Sequence, residues 1–415
     1  MRVDDGGVAA ERAGAREPQE ALPSRSRAWL VRHWSTLLLP PLLAFLAGNA
    51  LLWIAAHQAG FNYFDPGSWG RWDSGQYMRI ATQGYMINRC PAGRLYPPGS
   101  WCGDTAWLPL YPWLLKLLNG AGMSLLAAGV LLSSLFHLAA LGLLWSLLGA
   151  RLTLSALLCL ALAAVFPGSV YFHAVFPVSM ALCLALLCLL LLVRRCWTAA
   201  GVAGALAAAS YSTGVLLAPI AAVWILVTQR KRPLWRPALR LARVCALIVA
   251  GFLFVLAVQW LQTRMWGAYF RDQAKYYARY QNPLRTLSDA LVKPARADAA
   301  ERLLPAIQRN LSNRLPIVKA QLVLATLVVA LGLGVAAARR RASDADLAGV
   351  ITAVVLWVVP LIAVGGLSLY RSMVMLVPGV IPLRRLPAVV LVPLVVAAGY
   401  ISYGMVPHFL EKGFH

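Results

Sequence analysis

The chain has 415 residues, 60% of them hydrophobic and 13% charged, and a mean hydropathy of +0.67. That composition excludes a soluble cytosolic enzyme, whose apolar share is much smaller. A net charge of +23 would suggest nucleic acid in a soluble protein, but here the Lys and Arg punctuate long apolar runs, as they do in membrane-protein loops, and no nucleic-acid partner is expected.

Residues 1–34, with Arg2, Arg12, Arg16, Arg25, Arg27 and Arg32 among Gly, Ala, Pro and Glu, read as a disordered basic leader. The apolar stretch 35–57 has no compact small-residue cleavage site after it. It is therefore expected to remain as an anchor, with the N-terminus in the cytoplasm. Further apolar segments fall at 123–149, 152–167, 176–193, 198–210, 214–228, 244–263, 318–338, 347–364, 372–383 and 387–405. Together they give about eleven spans in one all-α polytopic unit over 35–415. On that count Arg151, the pair Arg194 and Arg195, the stretch Arg230 to Arg243, the run Arg339 to Arg341, and the pair Arg384 and Arg385 all fall on the cytoplasmic side. One missed span would reverse every later cluster, so their agreement supports a single orientation.

Several segments are short. The pairs 152–167 with 176–193, and 198–210 with 214–228, are joined by Pro, Gly, Ser and aromatic residues. Helices of ~13–16 residues, rising 1.5 Å per residue, do not cross a ~30 Å apolar layer. Their joints are therefore expected to dip into the membrane as re-entrant or half-length helices, with ordinary tight hairpins as the alternative.

Two long loops, 58–122 and 264–317, fall on the extracytoplasmic side. The second carries ten Lys and Arg against four acids. Such an excess on the outer face suits anions, such as phospholipid head groups or a lipid-linked phosphate, or else a solvated helical loop. Its acids Asp272, Asp289, Asp298 and Glu301 lie amid basic residues and are expected to pair with them.

Acids are scarce where transport would need them: none occurs between Thr105 and Arg271. Ion-coupled transporters carry carboxylates within their spans as switchable cation sites, which this chain lacks. Cysteines show no CxxC or Cys/His spacing, so neither a zinc nor a redox site is indicated. Cys90 and Cys102, twelve apart in the first outer loop, are a candidate disulfide in an oxidising exterior.

The richest segment is Arg71-Trp72-Asp73-Ser74-Gly75-Gln76-Tyr77-Met78-Arg79-Ile80-Ala81-Thr82-Gln83-Gly84-Tyr85. Helical spacing places Asp73, Tyr77 and Ile80 along one side of a short helix outside the first span. Asp73 at its start is either a helix-capping carboxylate or a reactive one, and Trp72 and Tyr77 offer the flat surfaces that sugars favour. Together with Ala106-Trp107-Leu108-Pro109-Leu110-Tyr111-Pro112-Trp113, this segment resembles the GPI mannosyltransferase 2 (PIG-V-like) family of GT-C glycosyltransferases. Weaker likenesses follow in order at Ser169 to Leu182, Ala208 to Pro219 and Leu369 to Ser372. The chain departs from the family where Tyr-Ser-Glu-Ser becomes Phe176-Pro177-Val178-Ser179, and where an Arg becomes Tyr211.

The resemblance implies a polytopic enzyme with an acid in its first outer loop, a polyprenyl-phosphate sugar donor and a non-cytoplasmic active site. It implies no metal or other cofactor. Displacing a lipid phosphate from an anomeric carbon needs a base for the acceptor hydroxyl and cations for the departing phosphate. Asp73 is the candidate base. Arg371 is the first candidate for the phosphate, or a snorkelling anchor; Arg71, Lys275 and Arg279 follow. Trp72, Tyr77, Asp104, Trp107, Tyr111 and His173 are candidates for acceptor or sugar contacts, His173 being alternatively a packing residue.

The expected function is mannosyl transfer from a polyprenyl-phosphate mannose to a lipid- or glycan-borne hydroxyl, with inversion, at a bacterial plasma membrane. A lipid or polyprenol flippase and a non-catalytic membrane scaffold are the alternatives from other classes.

Overall fold

A computed structural model describes residues 35–91, 98–274, 282–284, 287–288, 305–338, 342–363 and 369–411. The basic leader, and most of the second outer loop with Lys275, Arg279, Asp289, Asp298 and Glu301, lie outside the described residues.

Seven helices among the described residues are long and apolar enough to cross a membrane: Leu39–Gln58, Leu125–Leu147, Ser212–Gln229, Trp235–Thr263, Lys319–Ala338, Asp344–Ile362 and Ala388–Leu410. Of the eleven or so spans expected, some of them half-length, these seven helices match seven, and the other four apolar segments are shorter or irregular. Three form shorter helices, Leu154–Ala164, Val178–Val193 and Trp197–Ser210. The fourth, 372–383, is not an α-helix over most of its length. It runs as two 3₁₀ segments, Val374–Val380 and Pro382–Arg385, after a short helix, Leu369–Met373. Pro378 and Pro382 lack the backbone donors an α-helix needs there, and hydropathy does not register that loss.

In chain order the helices that matter here are α1 (Leu39–Gln58), α2 (Pro66–Trp69), α3 (Ser74–Gln83), α4 (Leu110–Gly120), α5 (Leu125–Leu147), α6 (Leu154–Ala164), α7 (Val178–Val193), α8 (Trp197–Ser210), α9 (Leu217–Gln229), α10 (Trp235–Thr263), α11 (Ala268–Ala274), α12 (Pro305–Ala338), α13 (Asp344–Ala363), α14 (Leu369–Met373) and α15 (Ala388–Leu410). A single antiparallel hairpin, β1 (Ile87–Arg89) with β2 (Trp101–Gly103), interrupts the first outer loop. Local signals set several boundaries. The Ser124 and Thr153 hydroxyls cap α5 and α6 by accepting from Ala127 N and Ala156 N. Asp65 caps α2, whose first residue is Pro66.

The helix α7 is the hub: thirteen of its sixteen residues are buried, so its apolar surface meets protein on every side. By contrast α1 leaves Leu39, Leu42, Leu43 and Leu46 exposed, as a lipid-facing helix does.

The tips of the α6–α7 and α8–α9 hairpins both lie within the bundle; α6, α7 and α8 are too short to cross, whereas Ser212–Gln229 is long enough. At the α6–α7 tip, Ser133 Oγ donates to Ala174 O and Phe176 O at 2.7 and 3.1 Å. Ser133 is eight residues into α5, so the tip lies ~12 Å below that helix's start. At the α8–α9 tip, Ala209 packs with Leu108 and Val255, and Val255 stands eight residues before the end of α10. Two backbone approaches make this second hairpin possible. A Cβ on Gly214 would lie 2.1 Å from Ala207 O, and one on Gly251 would lie 2.3 Å from Ala205 O.

Arg195, Arg240, Arg384 and Arg385 gather at one end of the bundle, while Arg339 to Arg341 lie outside the described residues. Arg195 pairs with Asp344 at 2.6 Å and lies over the Trp224 ring, and Arg240 bonds to Gln229. Arg384 and Arg385 both pair with Asp346, and Arg384 also donates to Leu147 O at the end of α5. Trp145 Nε1 donates to Thr36 O, which brings the start of the chain's first apolar stretch to the same end.

Candidate functional site

The opposite end carries the first outer loop. Asp73 directly precedes α3, but its carboxylate makes no capping bond to that helix. It forms an ion pair with Arg371 on α14. Their side chains are 28% and 18% exposed, so the pair is half-buried rather than set in bulk water. Of the two roles open to Asp73 in the sequence, helix capping is thus excluded by geometry. The Arg371 guanidinium also lies 5.8 Å from the Phe176 ring centroid.

Trp72 occupies the left-handed region at φ 58°, a conformation that costs a bulky residue ~1 kcal/mol or more. The turn sends its indole toward α15, where Nε1 donates to Phe409 O at 3.4 Å. The next residue then directs its carboxylate to Arg371.

Tyr77, one helical turn beyond Asp73, is buried, with its ring edge-on to Tyr111 at 5.5 Å and Phe176 at 6.0 Å. Burial pushes its phenol well above the usual range, and the neighbouring Tyr211 and Asp73 reinforce the shift while Arg371 opposes it. The phenol is thereby held as a neutral hydrogen-bond donor beside the ion pair.

The remaining candidates divide. Arg71 lies over the Phe61 ring at 5.8 Å, and its Nε is buried without a hydrogen bond among the described residues. Trp107 is buried, and its carbonyl accepts from the Tyr85 hydroxyl at 2.8 Å. Tyr111 donates to Gly129 O at 3.2 Å. His173 is stacked on Tyr63 at 4.5 Å and meets Trp69 edge-on at 4.6 Å, while its Nδ1 hydrogen-bonds with the hydroxyls of Tyr63 and Ser134. These three brace the loop against the spans.

Asp104 is completely buried, accepting from Arg79 Nε at 3.0 Å and Met86 N at 2.7 Å. Burial raises its carboxyl above the usual value, outweighing the opposing pull of the Met86 amide and the Arg79 guanidinium. Its bonds are spent on α3 and on the backbone just before β1, not on Asp73. Cys90 and Cys102 are disulfide-bonded and close that hairpin.

Asp272, expected to pair with basic neighbours, reaches across to the first loop. It is buried and accepts from Ala106 N at 2.9 Å and Thr105 Oγ1 at 3.3 Å. The end of α10 adds two more ties: Gln259 Nε2 donates to Thr105 O, and Gln262 Oε1 accepts from Tyr85 N, both at 2.7 Å. The start of the second outer loop therefore holds the first loop in place.

Sequence reasoning missed Phe176 as a neighbour of Arg371 and Tyr77, and Tyr211 as a neighbour of Tyr77. Both sit at tips of the short hairpins, and short helices with irregular aromatic joints were the available signal. Among the described residues no cluster of three or more His, Cys, Asp or Glu is arranged to hold a metal.

The chain is an all-α polytopic membrane protein with a half-buried acid–guanidinium pair where the loop after its first span meets the bundle. No protein-family model matches it, and no curated protein matches it.

Proposed function

We propose that the protein is a GT-C-type membrane glycosyltransferase that moves mannose from a polyprenyl-phosphate mannose to a lipid- or glycan-borne hydroxyl on the non-cytoplasmic side. One observation carries this reading. The first-loop acid and the late arginine, 298 residues apart, meet beside Tyr77 and Phe176, and the loop motif resembles that of the PIG-V-like family. In the GT-C layout, the two short hairpins and the 3₁₀ segment act as half-length internal elements beneath the outer loop.

At rest the pair is neutral. The donor's phosphodiester brings a negative charge that competes with Asp73 for the Arg371 guanidinium, a planar donor matched to phosphate oxygens. Release of that contact frees the carboxylate. Asp73 then accepts the acceptor hydroxyl's proton as the hydroxyl oxygen bonds to the anomeric carbon. The bond from that carbon to the phosphate oxygen breaks with its electron pair, and Arg371 stabilises the departing polyprenyl phosphate. Attack opposite to departure inverts the anomeric carbon. The neutral Tyr77 phenol is placed to donate to sugar or phosphate.

The test is transfer of radiolabelled mannose from polyprenyl-phosphate mannose to extracted membrane lipids by the purified protein. Transfer by the wild type that is lost in Asp73→Asn supports the reading. Transfer that survives Asp73→Asn and Asp73→Ala removes Asp73 as the base, and absence of transfer with every polyprenyl-phosphate sugar overturns the enzyme.

A further inference from the structure

On the rim of the outer loop, away from the Asp73 pair, two guanidinium groups share one indole. Arg89, on β1, has its guanidinium carbon 4.1 Å from the Trp101 ring centroid, and Arg271, on α11, has its own at 5.6 Å. The two cations are thus within about 10 Å of each other, no farther apart than a Debye length at moderate salt. Both side chains are exposed. Among the described residues neither has a carboxylate partner, and Arg89 donates only to the neutral Gly99 carbonyl. The nearby acids are committed elsewhere, Asp104 to Arg79 and Met86 N, Asp272 to Ala106 N and Thr105.

This arrangement is built rather than incidental. The disulfide and the strand pairing fix Arg89 and Trp101, and Asp272 fixes α11 next to Arg271. Like charges held together on a rigid frame repel unless an anion joins them. Depth identifies the anion's source. Trp266 and Phe270 are 63% and 56% exposed just before Arg271, and Trp260 is exposed near the end of α10. Exposed aromatic side chains at the end of an apolar span mark the head-group level of a bilayer.

We propose that Arg89, Trp101 and Arg271 form a binding site for the phosphodiester of an anionic membrane lipid. The phosphate bridges the two guanidinium groups, and the lipid's acyl chains continue past Trp266 and Phe270 into the bilayer. The site is independent of the transfer chemistry and holds the disulfide-closed hairpin against the membrane surface.

Native mass spectrometry of the full chain released from detergent micelles tests this, with phosphatidylglycerol, phosphatidylcholine or inorganic phosphate added. Wild type is expected to retain phosphatidylglycerol in preference to phosphatidylcholine. Arg89→Gln or Arg271→Gln weakens retention about fivefold, and the double variant about twenty-five-fold. Asp73→Asn retains it fully, so failure of the transferase reading leaves this result intact. Equal retention by wild type and double variant overturns the site. Displacement of the lipid by inorganic phosphate also overturns it, by making it a free-anion site. Should the double variant not fold, salt titration of the wild type replaces it: retention unaffected by salt overturns the proposal.

Discussion

Arg371 donates to Asp73 across 298 residues of chain, joining a short helix near the end of the bundle's last third to the turn that follows its first span. The contact pairs a residue before α3 with one in α14, so each keeps the other half-buried and oriented. Asp73→Asn preserves the shape of the side chain and removes the charge that accepts a proton. The expected outcome is a fall in transfer rate on the order of a hundredfold to ten-thousandfold with an unchanged elution profile. Initial rates at saturating acceptor measure it.

Arg371→Lys keeps the charge but loses the planar fork. Transfer should weaken mainly through a higher KM for the donor, while Arg371→Gln lowers kcat as well, because the leaving phosphate then has no cation. Varying donor concentration separates the two.

Asp272→Ala leaves the Ala106 amide without its buried acceptor and the Thr105 hydroxyl with Ala268 O alone. The expected loss is about 1–3 kcal/mol of stability, with Asp272→Asn milder because one acceptor oxygen remains. Thermal unfolding of the detergent-purified protein reads the difference.

Asp104 gives a pH dependence whose sign follows from its raised carboxyl. An acid that binds its proton more tightly in the folded chain favours folding most below its ordinary value of 3.8, and that contribution is lost as pH rises through the raised folded value. Asp104→Asn removes this dependence while keeping an acceptor for Met86 N. As pH rises from the ordinary value of 3.8 through the raised folded value, the melting temperature of the variant should therefore gain on that of the wild type. Parallel curves contradict the burial argument.

Asp346, 1% exposed, answers two guanidinium groups at the other end of the bundle. Asp346→Ala leaves Arg384 and Arg385 without that partner, and the expected loss is about 3–5 kcal/mol, read by the same unfolding measurement.

Much of this arrangement was legible in the residues. Asp73 stood out because few acids occur and one lies beside Trp72 in a helical motif, and Arg371 because it follows a span on the same side. Arg195, Arg240, Arg384 and Arg385 were expected at one end and meet there through Asp344, Asp346 and Gln229. The short helices α6, α7 and α8 were legible from length, but the segment 214–228 was read too short, because the 3₁₀ turn before it extends it to Ser212–Gln229. What escaped depends on pairing across the chain. Phe176 and Tyr211 reach Tyr77 only because two separate hairpins stop at similar depth, which no local pattern encodes. Asp104 was expected at the acceptor and Asp272 on a basic neighbour, yet each also binds a backbone amide, a partner that sequence does not display. The segment 372–383 was misjudged because hydropathy counts its apolar side chains and ignores the missing amide hydrogens of Pro378 and Pro382.

That same segment has a mechanical consequence. A 3₁₀ helix advances about 2.0 Å per residue against 1.5 Å for an α-helix, so a few buried residues stretch a long way through the protein. Its foot is pinned by Arg384 and Arg385 on Asp346, and its head carries Arg371. On the proposed transfer reading, a strut clamped at its foot confines any exchange of partners at Arg371 to rotation of that side chain.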